Sequence, residues 1–142
     1  SSDLPDGKTA YFTDGVTRTI RQVSIDRETG LPNGPWRDFA KVEAPIEPDG
    51  AVVDSEGFLW NAHWEGGQVA RFSPDGKLDR IVKVPVSRPT CPAFGGKDLK
   101  TLYITSEREG LTPEQLAEQP LAGGVFAIDV DVPGVPESIA KL

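Results

Sequence analysis

One pattern recurs three times along this chain, and it constrains the fold more than any other feature. Polar turns at Pro5-Asp6-Gly7-Lys8, Asp54-Ser55-Glu56-Gly57 and Gly95-Gly96-Lys97-Asp98 each lead into an apolar run, marked by Tyr11-Phe12, Leu59-Trp60 and Leu102-Tyr103. A second β-like run follows each one, at 19–25, 68–72 and 124–129, and a third at 37–42, 78–84 and 137–142. Two units also carry a run ahead of the turn, Ala51-Val52-Val53 and Pro92-Ala93-Phe94. Four short strands in about 45 residues describe one blade of a β-propeller. Period-2 alternation in Val69-Ala70-Arg71-Phe72 and the Asp75-Gly76 turn after it fit the outer hairpin of such a blade.

The expected fold class is therefore all-β: about three blades of four-stranded antiparallel sheet. The first blade, 1–43, lacks its axial strand; the second covers 48–86 and the third 90–142. The third has an insertion near 107–122, where Thr112-Pro113-Glu114-Gln115 is a capping box with proline at the first helical position. One short helix is expected there, ended by Pro120. Methionine is absent from the 142 residues, and three blades make only an arc, so the chain reads as the C-terminal portion of a longer propeller domain.

Composition narrows the function classes. Glycine (15) and proline (13) are abundant enough to favour short strands over long helices. With 15 Lys+Arg against 22 Asp+Glu the net charge is -7, which argues against a nucleic-acid partner, since that needs a basic face. No run approaches the roughly 20 apolar residues that cross a bilayer, so no membrane partner is expected. One cysteine and one histidine leave neither a disulfide framework nor a Cys- or His-rich metal cage. No targeting signal is visible, which gives a cytoplasmic expectation.

Blade topology brings certain loops to one mouth: Glu47-Pro48-Asp49-Gly50, Arg88-Pro89-Thr90-Cys91, Asp14-Gly15, His63-Trp64-Glu65-Gly66-Gly67 and the insertion from Glu107. Asp49 stands out among these. Pro-Asp-Gly occurs at 5–7, 48–50 and 74–76, and only the second copy precedes an axial strand, where its carboxylate reaches the central channel. Such a carboxylate is either a solvated turn residue or a hard ligand for a divalent cation. His63 is either a strand-end residue or a catalytic base, and as the single histidine it has no relay partner. Trp64 either fills the core or stacks on a sugar ring, and Cys91 is a small thiol at a strand entry. Glu107 and Arg108 read as the solvated face of the insertion.

The stretch Pro48-Asp49-Gly50-Ala51-Val52-Val53-Asp54-Ser55-Glu56-Gly57-Phe58-Leu59-Trp60, followed by 64–76, resembles the SMP-30/gluconolactonase/regucalcin family. The resemblance continues through Pro89-Thr90-Cys91, Ala93-Phe94-Gly95-Gly96, Leu102-Tyr103-Ile104-Thr105-Ser106 and 120–129. It implies a six-bladed propeller, with this chain as its C-terminal half, and a lactonase for sugar acids. It also implies a divalent cation (Ca, Zn, Mg or Mn) held by a Glu, an Asn and the Asp of a Pro-Asp-Gly. Of these three only the Asp maps here, onto Asp49, which becomes the expected metal ligand and proton-accepting catalytic residue. His63, Trp64 and Cys91 are the weaker substrate-contact candidates. The expected partner is a small sugar lactone, with a homodimer or association with the missing half closing the ring. The alternative is a non-enzymatic propeller that binds calcium or a partner protein.

Overall fold

The computed structural model describes residues 2, 3 and 7–136. Three antiparallel sheets stand side by side in sequence order. The first contains β1 (Ser2–Asp3), β2 (Thr9–Asp14), β3 (Thr19–Ser24) and β4 (Arg37–Lys41). The second contains β5 (Glu47–Val53), β6 (Leu59–Trp64), β7 (Gln68–Phe72) and β8 (Leu78–Lys83). The third pairs β9 (Pro89–Gly95), β10 (Thr101–Ser106) and β11 (Val125–Asp129). Each strand pairs with its sequence neighbour, the meander expected of propeller blades.

The first blade differs from expectation. Two residues, Ser2 and Asp3, pair with Tyr11 and Ala10 and form a short inner strand, so the blade does not lack that position altogether. The expected outer strand of the third blade, 137–142, lies outside the described residues. The insertion folds as expected: α1 (Pro113–Glu118) is capped by Thr112, whose hydroxyl accepts from the Gln115 amide while the Gln115 side chain accepts from the Thr112 amide.

Two apolar seams join the blades. Tyr11, Ile20 and Phe39 of the first meet Val53, Leu59, Ala70 and Phe72 of the second. On the opposite face of the second sheet, Trp60 and Val69 meet Leu102 and Ile104, with Phe94 edge-on to Trp60 at 6.1 Å between ring centroids. Burying each of the larger of these side chains contributes roughly 1.5–3 kcal/mol. Because the middle sheet is covered on both faces, every residue of β7 is buried, and the alternation expected at Val69–Phe72 is absent.

That double coverage has an electrostatic cost, since it buries the polar residues Asn61, His63, Gln68 and Arg71. Arg71 is the extreme case and is fully compensated. Its guanidinium donates to Asp54 at 2.8 Å, Glu56 at 2.7 Å and Asp79 at 3.0 Å. The Phe58 ring lies 3.8 Å beneath it. Asp54, itself fully buried, also accepts from the Trp60 indole and from the amides of Glu56 and Phe58. Burial opposes the Arg71 charge, but hydrogen bonds to Glu56, Asp79 and Asp54 more than offset it and hold its pKa above the usual range.

Candidate functional site

The Pro48-Asp49-Gly50 tripeptide lies inside β5, not ahead of it. A register shift explains how: Pro48 pairs with His63 and Ala51 with Asn61, so β5 holds one residue more than the facing stretch of β6. This is a bulge, which bends a strand and re-aims a side chain. Gly50 is required there by close approach, because a Cβ would stand 2.7 Å from both Cβ and Sγ of Cys91 and from the Thr90 carbonyl. β5 and β9 thus meet backbone to side chain, and Asp49 is fixed beside the seam between the second and third blades.

Asp49 lines a cavity of about 280 Å³ together with Thr13, Gly15, Glu47, Pro48 and Trp64. Burial pushes its carboxyl above the ordinary carboxylate range; the Gly50 amide works against this, and the charges of Glu107 and Glu47 add to the rise. Three carboxylates therefore influence one another at this mouth. The sequence reading of Glu107 as a solvated surface residue is corrected by the geometry. It is half-buried and accepts a 2.7 Å hydrogen bond from the Trp64 indole.

Arg88 stacks on Trp64. Its guanidinium lies 4.5 Å from the Trp64 ring centroid, donates to Glu65 at 2.6 Å and reaches the Glu109 carbonyl at 2.7 Å. The side chain is thereby committed to Glu65 and to anchoring the insertion, not to the carboxylates of the mouth. Further ties hold the insertion in place: Ser87 donates its amide to Gln119, and Val86 packs with Leu111 and Ala122.

The structure separates the other candidates. Trp64 lies at the mouth beside Asp49. Cys91 is adjacent through its contact with Gly50, but burial and the Asp49 charge push its thiol up, away from thiolate chemistry. His63 sits at the mouth end of β6 yet is buried, 4% exposed, with its ring near Phe72 of β7. Its Nδ1 is bonded to the Gln68 amide at 3.0 Å, and burial with Lys83 nearby lowers its pKa to about 4. Sequence reasoning placed Glu47 and the insertion from Glu107 at the mouth through topology, but did not single out either carboxylate as a charge acting on Asp49. A larger cavity of about 450 Å³ lies on the outer face of the first blade, among Ala10, Phe12, Val23, Ile25 and Trp36. Its one acid, Asp26, is occupied by the amides of Glu28 and Thr29, so it assembles no chemistry.

Residues 4–108 match the family model described as SMP-30/Gluconolactonase/LRE-like region. The chain belongs to this family. Among its SMP-30/gluconolactonase relatives is the 6-deoxy-6-sulfogluconolactonase of Pseudomonas putida, 44% identical over 137 residues, covering 95% of this chain and 46% of that protein. The regucalcin of Oryctolagus cuniculus is 40% identical over 134 residues, covering 92% and 44%. A crystal structure of regucalcin, a calcium-binding protein from Agrobacterium tumefaciens, superposes with a TM-score of 0.94 at 37% identity. That match covers 99% of this chain and 48% of the other. The chain spans about half the length of the curated relatives it matches. Three blades within about half of a regucalcin are the arithmetic of a six-bladed ring, and the fold is part of such a propeller.

Proposed function

We propose that this chain is the C-terminal half of a lactonase that opens the cyclic ester of a sugar acid. In this reading Asp49 holds a divalent cation and takes up the proton of the attacking water. The observation that carries it is the half-buried Asp49 carboxylate, set on a bulge at the mouth with the charges of Glu107 and Glu47 beside it, in a chain related to a sulfogluconolactonase.

The donor chemistry suits the cation. Carboxylate oxygens are the preferred ligands of Ca²⁺, Mg²⁺ and Mn²⁺ and are accepted by Zn²⁺. A carboxyl pushed up by burial and by neighbouring acids is stabilised by a bound positive charge. Among the described residues no group of three or more His, Cys, Asp or Glu is placed to hold a metal. Asp49 would therefore be one ligand of a set completed by the Glu and Asn that the family resemblance implies. Bound there, a cation would supply Lewis-acid polarisation of the lactone carbonyl.

The remaining work falls to this chain's own side chains. The Asp49 carboxylate accepts the proton that water loses as it attacks the carbonyl carbon, and gives it to the ring oxygen as the ester C–O bond breaks and the ring opens to the hydroxy acid. Trp64, held in place by Glu107 and stacked under Arg88, gives the cavity an apolar wall against which a sugar ring packs. Glu47 and Thr13 line the same cavity and accept hydrogen bonds from substrate hydroxyls. A calcium-binding protein without catalysis is the second reading, favoured by the likeness to the calcium-binding regucalcin.

Hydrolysis of a panel of sugar lactones by the full-length protein, with and without a chelator, separates the two. Turnover that stops on chelation and returns with added cation supports the lactonase. Calcium binding with no hydrolysis across the panel decides for the second reading.

A further inference from the structure

The bulge that carries Asp49 creates a hydrogen-bonding problem. An extra residue breaks the ladder locally, and the carbonyls beside it lose their strand partners. Here a side chain takes the partners' place. Asn61, on β6 and paired with Ala51 immediately after the bulge, is fully buried. Its Nδ2 donates to the Asp49 carbonyl at 2.7 Å and to the Gly50 carbonyl at 3.2 Å, which uses both amide hydrogens.

The other end of the amide is telling. Asn61 Oδ1 has no hydrogen-bond partner among the described residues. The polar contribution of this residue therefore passes through Nδ2 alone, and what Nδ2 holds is the backbone of Asp49 and Gly50. A buried amide with an unmatched oxygen is more costly than an apolar residue of similar size on a strand that already carries Leu59, Trp60 and Ala62. Stability gives a weak reason for an asparagine here. Geometry gives a strong one.

We propose that Asn61 is a positioning residue: by clamping the carbonyls of Asp49 and Gly50 it fixes the bulge, and with it the direction in which the Asp49 carboxylate enters the mouth. This rests on the reading of Asp49 as a cation ligand. The grip comes from two sides. Asn61 holds the bulge from within the blade, and Cys91 with Thr90 closes on Gly50 from the next blade. A carboxylate whose main chain is held this way presents its oxygens without having to be ordered at the moment of binding.

The test uses the full-length protein and Ca²⁺ as the probe ion. Asn61→Leu keeps the approximate volume and removes the donor; Asn61→Ser, which keeps a donor too short to span both carbonyls, covers failure of the first to fold. Val69→Ala serves as a control that loses core packing away from the bulge. Asn61 variants are expected to weaken Ca²⁺ affinity about tenfold by calorimetry, while Val69→Ala leaves it within about twofold despite a comparable fall in Tm. Amide exchange at residues 49–51 is expected to accelerate about tenfold or more in the Asn61 variants, with exchange at Val53 unchanged. Wild-type Ca²⁺ affinity in both Asn61 variants, or a loss that only tracks Tm as in Val69→Ala, overturns the proposal. Should Asp49→Asn leave Ca²⁺ affinity unchanged, the cation reading of Asp49 fails instead. The exchange rates at 49–51 then decide by themselves whether Asn61 holds the bulge: unchanged rates refute it.

Discussion

The two ends of the second blade both concentrate acids, and they treat them oppositely. At the end where β5 turns into β6, Asp54, Glu56 and Asp79 surround the Arg71 guanidinium, and every charge has an oppositely charged partner. At the mouth end of the same two strands, Asp49 has Glu47 and Glu107 for neighbours, while the nearby Arg88 is spent on Glu65 and the Glu109 carbonyl. One end has resolved its electrostatics within the fold; the other has not. A charge left unbalanced beside a cavity is the mark of a site that expects something from outside.

The largest effect should come from breaking the balanced end. Arg71→Met removes the partner of a fully buried Asp54, and an uncompensated buried charge costs about 3–5 kcal/mol. Denaturant unfolding of the full-length protein should show this as a lowered midpoint at unchanged slope. A change below about 1 kcal/mol would mean that the network is incidental, and the contrast between the two ends would collapse.

His63 sharpens the contrast, because it lies at the mouth end yet behaves as part of the fold. Its pKa falls from an ordinary 6.5 to about 4 on folding, so between those values the unfolded chain binds the proton and the native protein does not. Stability should therefore drop as pH falls from about 6.5 toward 4, by an amount on the order of 2–3 kcal/mol. The His63→Gln variant should flatten that slope in a pH series of melting curves.

A smaller effect belongs to the wall of the mouth. Trp64→Phe keeps the ring and loses the indole donor to Glu107, which should cost about 1–2 kcal/mol. It should also raise KM for a sugar lactone more than it lowers kcat, since the role proposed for the wall is to hold the substrate and not to touch the reacting bond. An effect on kcat alone would place Trp64 nearer the chemistry than the cavity lining suggests.

These differences also explain what the sequence could and could not reveal. The blades were legible because each strand pair carries its own turn chemistry and apolar run, as at Asp54–Gly57 leading into Leu59-Trp60. The helix was legible because its capping box is local. Asp49 stood out through the resemblance and through one Pro-Asp-Gly in an unusual place. The bulge was not legible, since it is a register mismatch between residues 48–51 and 61–63 that only pairing exposes. Nor was the burial of Arg71 and His63, which arises because neighbouring blades cover the middle sheet on both faces. Glu107 read as surface because its partner, Trp64, is distant in sequence and meets it only across the seam between blades.

The least effect on stability is expected where the effect on function is greatest. With its carboxyl pushed up by burial, ionised Asp49 disfavours the folded state at neutral pH, a penalty relieved as pH falls through its raised pKa. Asp49→Asn should therefore leave Tm unchanged or slightly higher. The decisive measurement is lactone hydrolysis by the full-length Asp49→Asn variant, at limiting and at saturating divalent cation, with Tm recorded on the same sample. Loss of most activity at both concentrations, with Tm maintained, is the expected result. Wild-type rates at both concentrations would contradict the assignment of the unbalanced mouth as the site.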